Sequence, residues 1–376
     1  MNVCFVSSYP PNRGRLSEYA KSLVKEIAKM PHIDSIIVVG DTVGGLKNLI
    51  FESDKVLVLR VWHPDNPLSI LKILPTVVRL RPHIVHFNVH FQSFGRKRLS
   101  NFVGLSLIFF SRLLGLKVVA SVHNFGELVD LSKVQLKPTV LNRVGILLAT
   151  KFVLFANRVV VKVKFYKKYL MERYRCVNIS YVPHGSALNV DPPSNKNEKI
   201  VLAFGHWAPH KGLPVLFDAI EEVSKVMSNV KFVVGGSAHP NFPRYLEKFK
   251  NMLNVDFVGY VKENEIARLF EEVDLVVLPY LTNTGTSGVF HLACSFGKPI
   301  IASDTIEIRE LLKEGASAVL VPPGDSAALK DAIISVLSDE RLMASMGKQN
   351  LLFAEREPWS LVAEEYEKLY LSALKS

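Results

Sequence analysis

Cysteine is nearly absent. Cys4, Cys176 and Cys294 lie far apart in apolar contexts, and their spacing fits neither a metal site nor a disulfide framework. A reduced, cytoplasmic compartment is the expectation. Long hydrophobic runs are missing as well. The run at 101–110 (NFVGLSLIFF) is stopped by Arg112 and is too short to span a bilayer. The opening MNVCFVSSYPP lacks the basic-then-apolar layout of a secretory leader. No internal repeat and no low-complexity tract stands out. Acidic residues are scarce in one half only. Residues 1–190 hold 27 Lys+Arg against 10 Asp+Glu, a net +17, and the remainder of the 46 and 35 is 19 against 25, a net −6. So lopsided a charge points the first half towards an anionic surface or substrate. Basic motifs interleaved with aromatics are lacking, so no nucleic-acid partner is expected.

What is present is apolar and periodic. The 376 residues are 48% hydrophobic, enough for two cores rather than one. Short apolar β-rich runs alternate with helix-period segments. They fall at 2–7, 35–39, 56–61, 84–87, 117–122 and 158–163, then at 200–204, 230–235, 255–258, 274–278, 299–302 and 317–321. Continuous apolar strands separated by helices imply parallel sheets covered on both faces. From Leu16 to about Lys29, the stripe Leu16, Tyr19, Ala20, Leu23, Val24 and Ile27 predicts a helix. ALNVDPPSNKNE is polar, aperiodic and carries Pro-Pro. It divides the chain into an N-terminal domain at 1–186, a linker at 187–198 and a C-terminal domain at 199–354. A last helix at 355–376 is expected to pack back on the first domain. Ligands of such sheets sit beyond the C-terminal ends of the strands, which predicts a cleft between the domains.

Four stretches carry candidate chemistry. TNTGTSGVFHLACSFGKP, 282–299, is a Gly/Thr loop feeding a helix, and helix N-termini attract anions. The loop itself contains no carboxylate. GHWAPHKG, 205–212, follows a strand, with Lys211 a cation between turn-permitting Gly205 and Gly212, a pattern suited to a diphosphate. SSYPPNRGRLSEY, 7–19, is strand, turn and helix without the GxGxxG of a dinucleotide site. His123 ends the apolar strand KVVASVH and is expected to face the cleft, whereas His86 and His90 of IVHFNVHF are read as structural.

The order of these motifs resembles a known family. G-x(6)-K-G at 205–212, GYVKENEIARLFEEVDLVVLPY at 259–280, the Gly loop, GKPIIASD, IREL and VLVPPGD look like the retaining glycosyltransferases of family 4, which have the two-Rossmann-domain GT-B fold. PPNRG, His123, ANRVVVKV and YVPHG match in the first half. The resemblance implies an α/β, doubly wound GT-B architecture. It implies that Lys211, with Gly205 and His206, binds the donor's diphosphate. The backbone at Val261 would meet the base. Thr284, Gly285, Thr286, Ser287, Gly288 and Val289 would hold phosphate and sugar, with Glu310 of IREL also on the donor. Gly14 and Arg15 would lie on the acceptor side, and His123 would line the reacting sugar. The sequence departs from the family at three places. The paired glutamates of E-x(7)-E fall at Thr284 and Leu292, the usual Arg is His206, and a double Gly reads Ile306-Glu307.

The reading is therefore a hexosyltransferase acting in glycan or glycoconjugate biosynthesis. Its co-substrate is a nucleotide diphosphate sugar and it needs no essential metal. Its acceptor is a glycan or a lipid-linked molecule, and it works in the cytoplasm or on the cytoplasmic face of an anionic membrane. Basic flanks on the apolar stretches 95–117 and 144–158 motivate the membrane expectation, although covering the sheet is the preferred role of 144–158. A nucleotide-sugar epimerase, a phosphorylase and a non-catalytic donor-binding subunit are the alternatives on the same fold.

Overall fold

The computed structural model describes residues 1–14, 16–134, 139–187, 198–249, 252, 254–282 and 285–376. Arg15, Thr284 and the interior of the expected linker lie outside the described residues. The chain divides into two compact units. The first comprises Met1–Leu131, Lys137–Pro183 and Trp359–Ser376, and the second is built on His184–Pro358.

The strands of the first unit are β1 (Asn2–Val6), β2 (Ser35–Asp41), β3 (Leu49–Ser53), β4 (Val56–Trp62), β5 (Ile84–Val89), β6 (Val118–Val122), β7 (Arg158–Val161) and β8 (Ile179–Tyr181). They form one sheet in the order β3-β4-β2-β1-β5-β6-β7-β8, parallel except that β3 runs antiparallel to β4. Its helices are α1 (Ser17–Ile27), α2 (Pro67–Leu71), α3 (Ile73–Leu80), α4 (Arg98–Leu113), α5 (Val140–Leu154) and α6 (Lys164–Tyr174). The six expected strands are all there. The sequence reading missed β3 and β8. LIFES at β3 is an exposed edge strand, so it never needed a continuous apolar run, and β8 is only three residues long.

The second unit contains β9 (Lys199–Phe204), β10 (Val230–Gly235), β11 (Val255–Gly259), β12 (Leu275–Leu278), β13 (Ile300–Ser303) and β14 (Val319–Val321). All pairings are parallel, in the order β11-β10-β9-β12-β13-β14. Its helices are α7 (Leu213–Val226), α8 (Glu263–Glu271), α9 (Gly288–Ser295), α10 (Ile306–Lys313), α11 (Ser326–Ser338) and α12 (Glu340–Arg356). The order turns around at β9–β12, where β9 leaves for β10 on one side and β12 for β13 on the other. Ligands of open α/β sheets bind at such a switch point, beyond the C-terminal strand ends.

The end of the chain differs in detail from the expected 355–376 helix. α12 stops at Arg356 because Pro358 has no N–H and disfavours helical backbone at Glu357. The last helix, α13 (Trp359–Leu374), belongs to the first unit, where it packs on α1. His184 to Ser186, by contrast, fall in the second unit. The Ser186 N–H donates to Glu357 O at 2.7 Å there.

α13 is locked to the first sheet by buried polar groups. Tyr370 and Ser121 hold the two ring nitrogens of His86, at 2.6 and 2.7 Å. Ser121 Oγ meets Tyr366 Oη at 2.6 Å, and Lys162 Nζ donates to Tyr366 Oη at 2.8 Å. Burial, and then the Lys162 charge, pushes the His86 imidazole well below its ordinary pKa. It is a neutral core residue, and every bond it makes is structural.

Candidate functional site

In the second unit the site is built from loops at the β9–β12 switch point. Trp207 anchors the loop after β9. It is 1% exposed and its Nε1–H donates to Gly235 O at 2.9 Å. The loop then makes a 3-10 turn, Pro209–Lys211, which the Leu281 N–H ties to the end of β12 by donating to His210 O at 2.9 Å. Gly212 follows in the left-handed region (φ +72), and a Cβ there would stand 1.8 Å from Pro279 O. Only glycine lets the chain pass so close to β12 before α7 begins.

This passage puts Lys211 over Tyr280. Its Nζ lies 3.8 Å from the ring centroid, a cation held on an aromatic face. Tyr280 Oη meets Ser287 Oγ at 3.0 Å. Ser287 caps α9, its Oγ accepting from the Phe290 N–H at 3.3 Å. Gly205 comes beside the same helix start, since a Cβ on it would lie 3.5 Å from Val289 Cγ2. Two stretches far apart in the sequence, both expected on the donor, therefore meet. A cation, a hydroxyl pair and the positive end of a helix face one place, the arrangement an anion wants.

The other predicted donor residues are less tightly gathered. Gly285, Thr286, Ser287, Gly288 and Val289 form the loop and first turn of α9 as expected. His206 Nδ1 lies 3.5 Å from Ser237 Oγ. Val261 follows β11, two strands from β9, and Glu310 stands on α10 after β13. Leu292, where the family resemblance would place a glutamate, packs with the apolar cluster under α9. Thr284 cannot be placed, lying outside the described residues. Among those residues, no three His, Cys, Asp or Glu gather as a metal set.

In the first unit, His123 stands one residue beyond β6. Its N–H donates to Val89 O at 3.0 Å, and its Nε2 meets Asn88 Oδ1 at 2.8 Å. Asn88 Nδ2 donates to Ser7 Oγ at 3.1 Å, so the amide oxygen is the face turned to the imidazole and the proton is on Nε2. Ser7, Asn88 and His123 thus link the C-terminal ends of β1, β5 and β6. Tyr19 of α1 sets its ring edge-on to His123, with centroids 4.5 Å apart, and Lys162 Nζ lies 5.0 Å from the Tyr19 ring. Gly14, buried and left-handed (φ +68), closes the loop after β1, where Glu18 Oε1 accepts its N–H at 3.1 Å. Arg15, the other acceptor-side residue, lies outside the described residues.

Sequence reasoning missed Tyr280, Asn88, Tyr19 and Lys162. Tyr280 and Asn88 sit inside quoted motifs, two and one residues past apolar runs, and strand-end position was the signal that would have found them. Tyr19 and Lys162 look like core positions, and only packing reveals them.

Residues 198–339 match the family model described as glycosyl transferases group 1. That stretch is a group 1 glycosyl transferase domain. It covers the Lys211 loop, Tyr280 and α9. A phosphatidyl-myo-inositol mannosyltransferase from Mycobacterium leprae is 28% identical over 198 residues, 50% of this chain and 52% of the relative. The chain thus spans about half the length of this curated relative. Sucrose-phosphate synthase from Thermosynechococcus elongatus superposes with a TM-score of 0.79 at 17% identity, covering 99% of this chain and 98% of that one. Anabaena HepE, solved in complex with UDP-glucose, gives 0.75 at 18% identity over 99% and 100%. The fold is GT-B, with the group 1 domain as its second Rossmann-like unit.

Proposed function

We propose that the chain is a glycosyltransferase that moves a hexose, with retention, from a nucleoside diphosphate carrier to a glycan or lipid-linked acceptor. The observation that carries this reading is the meeting of Lys211, the Tyr280–Ser287 pair and the start of α9 inside the group 1 domain. A mannosyltransferase among the relatives and a UDP-glucose complex among the structural neighbours support the hexose and its carrier. In the reaction, the bond from the anomeric carbon to the diphosphate oxygen breaks, a bond to the acceptor oxygen forms on the same face, and the acceptor's proton passes to the departing diphosphate oxygen. Lys211, Gly205, His206 and the amides at 285–289 hold the diphosphate as its charge grows. The backbone at Val261 meets the base, Thr284 and Glu310 complete the donor contacts, and His123 lines the reacting sugar. Gly14 and Arg15 serve the acceptor side. With the leaving charge met by a lysine and helix amides, the reaction needs no metal.

A panel of nucleotide sugars, scored by the rise in melting temperature, tests the reading and selects the donor. Lys211→Ala is expected to weaken the selected donor by about 1.5–3 kcal/mol, one charge-assisted contact, with the fold unchanged. Undiminished affinity in a calorimetric titration removes the diphosphate from this loop.

For the acceptor side, the reading includes docking on an anionic membrane. No helix among the described residues is long and apolar enough to cross one. α4 and α5 pack together and expose Leu99, Phe110, Leu113, Val140, Leu141 and Val144. Within 144–158 Ala149, Thr150, Val153 and Leu154 are buried, in keeping with a sheet-covering role, and the exposed row on α5 lies largely ahead of that stretch. Cations border the face, though Arg96 pairs with Asp65 at 3.7 Å and Arg98 bonds Asn142. Lys97, Arg112, Arg143 and Lys151 carry the reading, at about 1 kcal/mol each near an anionic leaflet. The protein is expected to float with anionic liposomes at low salt and to sink with neutral ones. Equal flotation with both, or none, leaves a soluble acceptor as the better account.

A further inference from the structure

The loop that opens α9 has no carboxylate of its own, yet the fold delivers one behind it. Glu357, in the break between α12 and α13, sets Oε2 3.8 Å from His291 Nδ1. The other ring nitrogen, Nε2, meets Thr286 Oγ1 at 3.2 Å. His184, from the YVPHG motif, stacks on the His291 ring with centroids 4.7 Å apart, and its Nε2 would lie 3.3 Å from a Cβ placed on Gly288. Phe353 of α12 also packs on His291, at 5.7 Å.

The arrangement is built rather than incidental. The side chains of His291 and Glu357 are only 3% and 13% exposed, and they come from separate elements. The Glu357 backbone is fixed at both ends, its O accepting from Ser186 N at 2.7 Å and its N donating to Ala354 O at 3.2 Å. An apolar pair of similar volume would fill the space without the cost of desolvating a carboxylate and an imidazole. The pair therefore calls for a reason other than stability. Its position supplies one. Two relays end on neighbouring residues, Lys211–Tyr280–Ser287 from one side and Glu357–His291–Thr286 from the other.

We propose that Glu357, His291 and Thr286 form the sugar-reading arm of the donor site. The inference rests on the donor reading above and adds what recognises the hexose. At 3.8 Å the Glu357 carboxylate acts on Nδ1 as a charge and not as a hydrogen-bond acceptor, and that charge favours a proton on Nδ1 and leaves Nε2 to accept from the Thr286 hydroxyl. The Thr286 oxygen then presents its lone pairs to a donor hydroxyl. Glu357 is a positioning residue, since it acts through His291.

Calorimetric titration with UDP, GDP, UDP-glucose and GDP-mannose tests the arm. Glu357→Gln keeps shape and removes charge. Thr286→Val changes a half-buried loop residue and guards against a folding defect in the first variant. Glu357→Gln is expected to bind the preferred free nucleoside diphosphate as the wild type does, within about twofold, and both variants are expected to lose about tenfold more affinity for its hexose conjugate than for the free nucleoside diphosphate. Lys211→Ala loses affinity for both ligands. If both arm variants keep full affinity for the conjugate, or lose both ligands equally, the arm is wrong while Lys211 still supports the donor reading. If the wild type binds none of the four, or Lys211→Ala changes nothing, the donor reading falls and takes the arm with it.

Discussion

Replacing His123 with alanine is expected to lower turnover by about a hundredfold, with nucleotide-sugar affinity changed by less than about threefold. The imidazole stands at the C-terminal tip of β6, where ligands of doubly wound sheets bind. It is oriented from two directions, by Asn88 Oδ1 at 2.8 Å and by the edge of Tyr19. A group held so firmly at a strand end suits work in the transition state. Removing it should therefore lower kcat and kcat/KM together. On the proposed reading, the donor's affinity comes mainly from the Lys211 loop and α9, in the other unit. The measurement is steady-state transfer from the donor that the melting panel selects, beside a titration of that donor. Turnover near the wild-type value would return His123 to the same structural standing as His86. Asn88→Ala provides the intermediate case. It should lower kcat less than His123→Ala does, because it loosens the ring without removing it.

Gly212→Ala should destabilise the second unit by about 3 kcal/mol or more, from a left-handed backbone together with a clash. A Cβ at Gly212 would lie 1.8 Å from the carbonyl oxygen of Pro279, and φ is +72. The obstacle is backbone at the end of a buried strand, so it cannot rotate away as a side chain would. The loop must lift, and with it Lys211 leaves the face of Tyr280. Affinity for nucleotide sugars should fall in the same variant even where enough folded protein remains. Gly145→Ala is the control. It lies in α5 with open space around its Cβ position, and a helical alanine there should stabilise by about 0.5–1 kcal/mol. Urea unfolding followed by tryptophan fluorescence in a Trp62→Phe, Trp359→Phe background, where Trp207 is the remaining tryptophan, reads the second unit, and far-ultraviolet circular dichroism reads the Gly145→Ala control in the first. Equal stability of Gly212→Ala and the wild type would mean that the close approach to Pro279 does not constrain this loop.

The two substitutions probe different levels of information. Lys211 and Gly212 were readable as a cation beside a turn because a loop between a strand and a helix is local. That Tyr280 lies under the lysine was not readable, although LVVLPY and GHWAPHKG were both noticed. Their meeting depends on β9 pairing with β12, across an intervening stretch of some seventy residues that includes two other strands. The absence of a carboxylate in 282–299 was equally plain. Where one would come from was not, because Glu357 carries no local sign of a site. It precedes a proline at the end of a helix, and only the turn after α12 brings it to His291.

By itself the sequence determined the class of fold, the positions of twelve of the fourteen strands among the described residues, the anion-suited loops and the excess of positive charge in the first half. These follow from period, composition and turn chemistry, which act between near neighbours. The tertiary structure alone decided that Tyr280 lies under Lys211, that Asn88 and Tyr19 hold His123, and that His86 braces α13 through Tyr370 and Ser121. Those outcomes depend on strand order and on contacts between distant segments. An imidazole on such a strand reads the same in sequence whether a tyrosine and a serine enclose it or an amide and a tyrosine ring hold it at the strand's end, and only packing tells the two apart.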